Sequence, residues 1–586
     1  MQMLKISVLG LDQMKLRASP SFFILHSSLF ILRSAFVRNM AATSEKDSNS
    51  SSAAANLAVA AILELEDQRR SALEGLLTTL AQGGDNNGVL LSNVRVPLSI
   101  VKGEKDVHAD EEGLVQLDVQ LRNGKIAQMG AHGTIEADAE VSLGDAEDGN
   151  TVEVDVPNVL EAGGAILLPC FVDAHTHIVK TQTTTRCRNP TGSINDALAC
   201  EVDDRPRWNV HDDARRRMDF AMRCAYHYGT AAMRTHLDGT DAASCPAELV
   251  SAVYSHYDEL REKWMPKGLE LQGVANSYLF CYLDADFAKK HAAEAARHGG
   301  VALGAYCGNI AGRAVEETKA AFDAMLRLAS EHSLDVDIHI DETNDKECCA
   351  LIPFCDSLSD ARGAGYTGTV VLGHACSLAL QSTDVVAKVA SKLAQLQPCF
   401  VVANPVTNLG LQDRRGTAPP IGSLVESDVD HTPRWRGVAP MQELLAAGVP
   451  VAAASDNVRD WWGAFGTDYD GLAVYASALA IGHLDTVPNE GAWAGLVTST
   501  AAAAMRAKHT AVLKVGANAN LVFFPNARRM SELLCRPGGG GRVVLREGVP
   551  SCAPLPSFDE LDDLVNERTE RTTPGGTVQR GAAPMK

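Results

Sequence analysis

The 586-residue chain carries 53 Lys plus Arg against 73 Asp plus Glu, a formal net charge of −20. That acid excess is the wrong sign for gripping a polyanion, and aromatic residues at 5% leave few rings for single-stranded bases to stack on. No 18-residue apolar stretch is present, since the best candidate, Ser21 to Phe36, is broken by His26, Ser27, Ser28 and Arg33, so no membrane span is expected.

In chain order, residues 1–55 read as a segment apart. Lys5, Lys15, Arg17, Arg33 and Arg38 face a single early acid, Asp12, which is the composition of an organelle transit peptide. Alternatively Met40 is the start and the protein is cytoplasmic; in either case a Ser-, Asn- and Ala-rich linker follows. Leu73, Leu76, Leu77 and Leu80 recur by threes and fours, which predicts an amphipathic helix within 56–84. Short strands are expected at Val89–Val96 and Val115–Arg122, with Asn123-Gly124 as a hairpin turn. Similar stretches return at Ala519–Phe524 and Arg542–Gly548. Residues 85–166 with 510–552 are therefore expected to form a small β-sandwich from both flanks, and 553–586, rich in Pro and Gly, a flexible tail.

The middle, residues 167–509, alternates short apolar runs with helical patterns. Eight runs have the character of buried strands: Leu168–His175, Thr230–Asp238, Leu269–Ser277, Gly300–Tyr306, Leu334–Asp341, Thr369–His374, Cys399–Asn404 and Pro450–Asp456. Eight strand–helix units are the count of a (β/α)8 (TIM) barrel. The 14 cysteines are scattered and include no C-x-x-C, so they read as small buried hydrophobes. The same absence excludes zinc fingers and the small zinc nucleobase deaminases, whose signature needs that motif.

A barrel of this kind places its site at the carboxyl ends of its strands. The first run ends Asp173-Ala174-His175-Thr176-His177, and side-chain alternation turns both histidines the same way. The fifth ends His339-Ile340-Asp341-Glu342, the sixth at His374 and the eighth at Ser455-Asp456. A lone H-x-H is weak evidence among 17 histidines. Together, however, His175, His177, His339 and Asp456 supply three nitrogens and one oxygen, a set that leaves a coordination position open for water. His236, ending the second run, points to the same rim and is either a supporting residue or a satisfied polar one.

These residues resemble the amidohydrolase superfamily, more closely its cytosine deaminase branch. The resemblance is carried by Phe171–His177 with Thr181-Gln182-Thr183, Arg234-Thr235-His236-Leu237-Asp238, His339-x-x-Glu342, Gly373-His374, Asn404-Pro405 with Asn408-Leu409-x-Leu411-Gln412, and Ser455-Asp456-Asn457 with Trp462. It implies one divalent metal ion, zinc or iron, on His175, His177, His339 and Asp456. It also implies that Glu342 shuttles a proton to the substrate ring, that His374 orients the nucleophile, that Asp456 moves the water's proton, and that Gln182 and Trp462 line the pocket. No Lys ends the fourth run, Leu303-Gly304-Ala305-Tyr306, so a carbamate-bridged second metal is not expected.

Two positions depart from that pattern. Tyr278 stands where cytosine deaminases present a Gln, and Asn457 where they show a second Asp. The resemblance implies that both positions touch the substrate rather than the metal. The expected activity is hydrolytic deamination of a small amino-substituted N-heterocycle, cytosine first. The alternatives are triazines, creatinine-like rings or cyclic amides, and, in a different class, a barrel that has lost catalysis and serves in binding. A small-molecule substrate, no nucleic acid, no membrane and a possible homo-oligomer complete the expectation. The Pro-containing stretch Arg414–Arg436 is a candidate lid or a plain surface excursion.

Overall fold

The computed structural model describes residues 88–565 except 105–106, 137–140, 143–154, 157–158, 308–309, 311, 415–431, 434, 486–488 and 539–540. The leading segment 1–55, the helix expected in 56–84 and most of the 414–436 stretch lie outside the described residues.

The two flanks meet in one mixed sheet. Its strands are β1 (Val89–Pro97), β2 (Leu114–Arg122), β3 (Lys125–Ala131), β6 (Val159–Glu161), β7 (Ile166–Pro169), β16 (Leu521–Phe524), β17 (Val543–Arg546) and β18 (Val549–Pro550). They run in the order β18-β17-β16-β7-β1-β2-β3, with β6 also paired to β1. A separate two-stranded ladder pairs β4 (Val141–Ser142) with β5 (Asp155–Val156). The antiparallel pairing of β16 with β7, Val522 opposite Leu168, joins sequence positions more than 350 residues apart.

The barrel is built from β8 (Phe171–Thr176), β9 (Thr230–His236), β10 (Glu270–Ala275), β11 (Val301–Tyr306), β12 (Val336–Ile340), β13 (Val370–His374), β14 (Cys399–Ala403) and β15 (Val451–Ala453). Each strand pairs in parallel with the next in sequence. A bridge between Thr176 and Asp456, with Asp456 N–H donating to the His175 carbonyl at 2.9 Å, joins the last strand to the first. All eight expected strands are present, with one displaced start. Leu168 belongs to β7, because pairing changes partner at Cys170, whose N–H donates to Asn520 before Phe171 turns to Gly229.

Helices α1 (Ile194–Asp204), α2 (Asp213–Tyr228), α3 (Ala247–Trp264), α4 (Ala285–Arg297), α5 (Val315–Glu331), α6 (Leu351–Gly363), α7 (Thr383–Gln395), α8 (Pro405–Leu411), α9 (Met441–Ala446), α10 (Gly471–Gly482) and α11 (Ser499–Met505) fill the connections. Their starts are chemically marked: the side chains of Ser193, Asp284, Ser382 and Asp470 accept from first-turn N–H groups of α1, α4, α7 and α10. Gly229 ends α2 at φ +93°, where a Cβ would meet Val522 at 2.7 Å, so only glycine lets the helix turn into β9 there. None of the described helices is long and apolar enough to cross a membrane.

A small apolar cluster fills the barrel around Val172, Ala174, Ala232, Val371, Val402 and Ala452, and takes in Ala501, Ala502, Ala504 and Met505 of α11. Short side chains suit a narrow barrel interior. Next to it lies a buried polar group in which Arg234 bonds to Gln272 (2.8 Å), Asp337 (3.1 Å) and the Met505 carbonyl (3.2 Å).

The segment expected as a flexible tail from residue 553 makes several contacts over its described part, which ends at residue 565. Arg216 pairs with Asp563 and Arg223 with Glu560, while Phe558 stacks on Phe220 and lies 4.1 Å from the Arg459 guanidinium. Leu561 is buried. The polar composition concealed two apolar anchors, Phe558 and Leu561, spaced to dock together.

Candidate active site

The carboxyl ends of the strands carry the chemistry. The register of β8 against β9 shifts between Asp173 and Thr176, a bulge that re-aims the end of the strand. Asp173 accepts from Ser455 N–H at 3.1 Å, so the strand that carries His175 also holds the loop that carries Asp456. Gln182, Asp341, His374 and Asp456 all have φ between +55° and +72°. Non-glycine residues in that region cost about 1–3 kcal/mol each and gather where function demands the geometry. Gly373 is required by proximity, because a Cβ there would stand 2.8 Å from Cε1 of His175.

Five histidine rings converge. His236 lies 4.3 Å, 4.9 Å and 4.2 Å, centroid to centroid, from His175, His177 and His339, and His374 lies 5.1 Å from both His175 and His339. Asp456 Oδ1 is 3.4 Å from His177 Nε2 and 3.7 Å from His175 Nε2. Three overlapping groups, His175–His177–Asp456, His175–His339–His374 and His175–His236–Asp337, each bring ligand atoms within 4.8 Å of one another.

These donors fit a divalent cation. His177 Nδ1 donates to Asp238 at 2.9 Å, which leaves its Nε2 with a lone pair facing His339 Nε2 at 3.0 Å. His175 Nε2 and His339 Nδ1 are buried and find no hydrogen-bond partner among the described residues, and the buried Asp456 carboxylate has few. Orphaned acceptors at such a density are costly unless a cation sits among them. Burial and neighbouring positive groups hold His175, His177, His236 and His339 well below the usual imidazole range, and push His374 down to about 3. All five are thus neutral, the ligand-competent form. Burial and the nearby Glu342 push the Asp456 carboxyl up, an effect a bound cation reverses.

Glu342 is buried, with Oε1 3.5 Å from His374 Nδ1. Burial lifts its carboxyl to about 8, against the lowering pull of Lys180, which favours the protonated form. Asn408 donates to His374 Nδ1 at 2.9 Å and orients that ring.

The remaining expected residues are spread around this centre. Trp462 donates its indole N–H to Glu201 at 3.2 Å and lies under the Lys180 ammonium, 4.7 Å from it. Asn457 is buried and donates to Asp460 at 2.8 Å. Tyr278 is half-buried, its backbone bridged to Tyr306, whose ring lies 5.9 Å from His339. Gln182 is buried and lines a cavity with Thr185, Arg459, Phe558, Leu561 and Asp562. His236, left open from sequence, stands inside the cluster with Nε2 3.2 Å from His175 Nδ1.

Sequence reasoning missed Lys180, Glu201 and Asp460. Lys180 Nζ is buried 3.5 Å from both Asp238 and Glu201. Burial alone would lower its basicity, but Asp238, Glu201, Asp460 and Asp456 together raise it, so it stays charged. Its signal was a lone cation three residues beyond His177, directly after the apolar pair Ile178-Val179; Glu201, on α1, had none.

Comparison with known proteins agrees with this geometry. The model of the amidohydrolase family (Amidohydro_3) matches residues 207–532. A pterin deaminase from Rhizobium rhizogenes (strain K84 / ATCC BAA-868) is 35% identical over 477 residues, covering 81% of this chain and 96% of its own. N-isopropylammelide isopropyl amidohydrolase from Pseudomonas sp. (strain ADP) is 24% identical, over 63% of this chain and 82% of its own. Among solved structures, 5-methylcytosine deaminase from Klebsiella pneumoniae, liganded with phosphonocytosine, shares the fold with a TM-score of 0.60 at 18% identity, over 79% of this chain and 97% of that one. With its eight-stranded parallel barrel and histidine-rich centre, this chain belongs to the amidohydrolase family.

Proposed function

We propose that the protein is a metal-dependent hydrolytic deaminase of a small amino-substituted N-heterocycle, and that a pterin is its first substrate. The observation that carries the reaction type is the buried Glu342 carboxyl 3.5 Å from His374, beside five converging histidine rings and the buried carboxylate of Asp456. The choice of pterin rests on the 35% identity, over nearly the whole of its length, to a pterin deaminase. Cytosine, the first expectation from sequence, stands second, since Tyr278 and Asn457 depart from the cytosine pattern.

His175, His177, His339 and Asp456 would hold a divalent ion, which when bound would supply the Lewis acidity that makes water a nucleophile near neutral pH. Asp456 accepts the proton of the attacking water. Glu342 donates its proton to the ring nitrogen beside the amine-bearing carbon, so negative charge does not accumulate on the ring. Neutral His374, held by Asn408, lies between these two carboxyl groups, 3.5 Å from Glu342 and 3.9 Å from Asp456. As the tetrahedral carbon collapses, Asp456 passes its proton to the departing amine and the hydroxyl proton passes to Glu342, which regains its starting form; ammonia leaves, and an oxo group stands where the amine was. Lys180, Glu201 and Trp462 form a charged and aromatic wall beside this centre, suited to the carbonyl and amidine edge of an oxo-amino ring.

The test is ammonia release by the full-length protein, loaded with zinc or ferrous iron, from pterin, cytosine, creatinine and aminotriazines. Release from pterin above the others is expected. Release from cytosine with pterin untouched would move the substrate to single-ring pyrimidines, and no ammonia from any of them would overturn the deaminase reading.

A further inference from the structure

The connection from β8 to α2 carries two thiols that the reaction does not use. Cys187 Sγ lies 3.2 Å from Cys200 Sγ. A disulfide needs about 2.05 Å, so closure asks each sulfur to move roughly 0.6 Å. The two segments are already clamped beside the thiols: Arg186, next to Cys187, pairs at 3.1 Å with Asp204 of α1, the helix that holds Cys200. Cys187 is half-buried and Cys200 buried, so a reagent reaches the first and the second follows.

We propose that Cys187 and Cys200 form a reversible intramolecular disulfide, and that closing it adjusts the wall of the active site through Glu201. The oxidant is a low-molecular-weight disulfide of the glutathione type. The Cys187 thiolate attacks one of its sulfurs and releases one thiol; the Cys200 thiolate then attacks Cys187 Sγ and releases the second. Two protein thiols are oxidised, one small disulfide is reduced to two thiols, and the two protons pass to these. Cys200 immediately precedes Glu201, whose carboxylate accepts from Trp462 and Arg205 and faces Lys180 at 3.5 Å. Drawing Cys200 toward Cys187 therefore pulls on Glu201, which contacts both Trp462 and Lys180. The chemical step stands independently of the substrate; only its effect on turnover rests on the deaminase reading.

The metal-loaded full-length protein is incubated with glutathione disulfide, blocked with an alkylating agent, digested and mass-mapped. The exposed thiols Cys535 and Cys552 report whether the oxidant is effective. A Cys187–Cys200 cross-link, two hydrogens lighter, reversed by dithiothreitol and absent from C187S and C200S, is expected. With it, KM for ammonia release from pterin should change by about fivefold in the wild type and not in C187S. If Cys535 and Cys552 take up glutathione while Cys187 and Cys200 remain alkylatable, or if Cys187 keeps a stable mixed disulfide, the site is refuted. A cross-link with unchanged KM refutes the coupling through Glu201. Failure to release ammonia from any substrate refutes the deaminase reading and leaves the mass-mapped cross-link to be judged alone.

Discussion

At the scale of single residues, the account turns on protons and on buried charge. Glu342→Gln keeps the shape but removes the proton donor, so turnover should fall about 10²–10⁴-fold, while metal content, measured by elemental analysis, stays that of the wild type. Because burial raises the Glu342 carboxyl to about 8, the donating form is complete below that pH and is lost as pH rises through it. A bound cation lowers the value, so kcat/KM should show an alkaline limb at or below about pH 8, and that limb should vanish in the Gln variant. Lys180→Met takes the ammonium from among the buried Asp238, Glu201 and Asp460 carboxylates and leaves only Arg205, paired with Glu201, beside them among the described residues. Removing one partner of such a cluster costs about 3–5 kcal/mol, to be read as a lower apparent melting temperature. His175, His177, Glu342, His374 and Asp456 were legible in the sequence because each stands at the end of an apolar run, where a polar side chain needs a reason. Lys180 was not, since its burial depends on carboxylates from three other stretches of chain, and a lysine without visible partners reads as surface.

Among the elements, the barrel strands were legible as apolar runs of strand length, and their ends were not. The run Leu168–His175 is continuous in sequence but divided in space, because Pro169 ends the pairing with β16 and Phe171 begins that with β9. The expected strand Pro450–Asp456 contracts to Val451–Ala453, since Asp456 takes a left-handed conformation to face the histidines. Interior polar layers were invisible for a different reason: Arg234, Gln272 and Asp337 meet only once β9, β10 and β12 are in register. Burial raises the Asp337 carboxyl to about 6, against the pull of Arg234. Arg234→Met should therefore destabilise the barrel by about 3–5 kcal/mol, and pairing it with Asp337→Leu should restore part of the loss. Thermal unfolding of the single and double variants checks this; an Arg234→Met protein as stable as the wild type would show that the polar layer is not a structural element.

For the whole molecule, both flanks of the chain were legible as partners because their β-like stretches repeat on either side of the barrel, whereas the docked part of the tail was hidden by its polar composition. Phe558 and Leu561 close over Gln182, Thr185 and Arg459. A chain ending at Pro556 should lose about 2 kcal/mol, roughly the burial of one leucine side chain, since the exposed Arg216–Asp563 and Arg223–Glu560 pairs add little. Differential scanning of the truncated and full-length proteins reads that loss directly. The claim beneath all of this is that His175, His177, His339 and Asp456, from separated parts of one chain, enclose one divalent cation. Elemental analysis of the full-length protein, beside His339→Ala and Asp456→Ala variants of unchanged circular dichroism, tests it most directly. One zinc or iron per wild-type chain, lost from both variants, is the expected result; a wild type that binds no divalent metal after reloading, or variants that keep it in full, would contradict it.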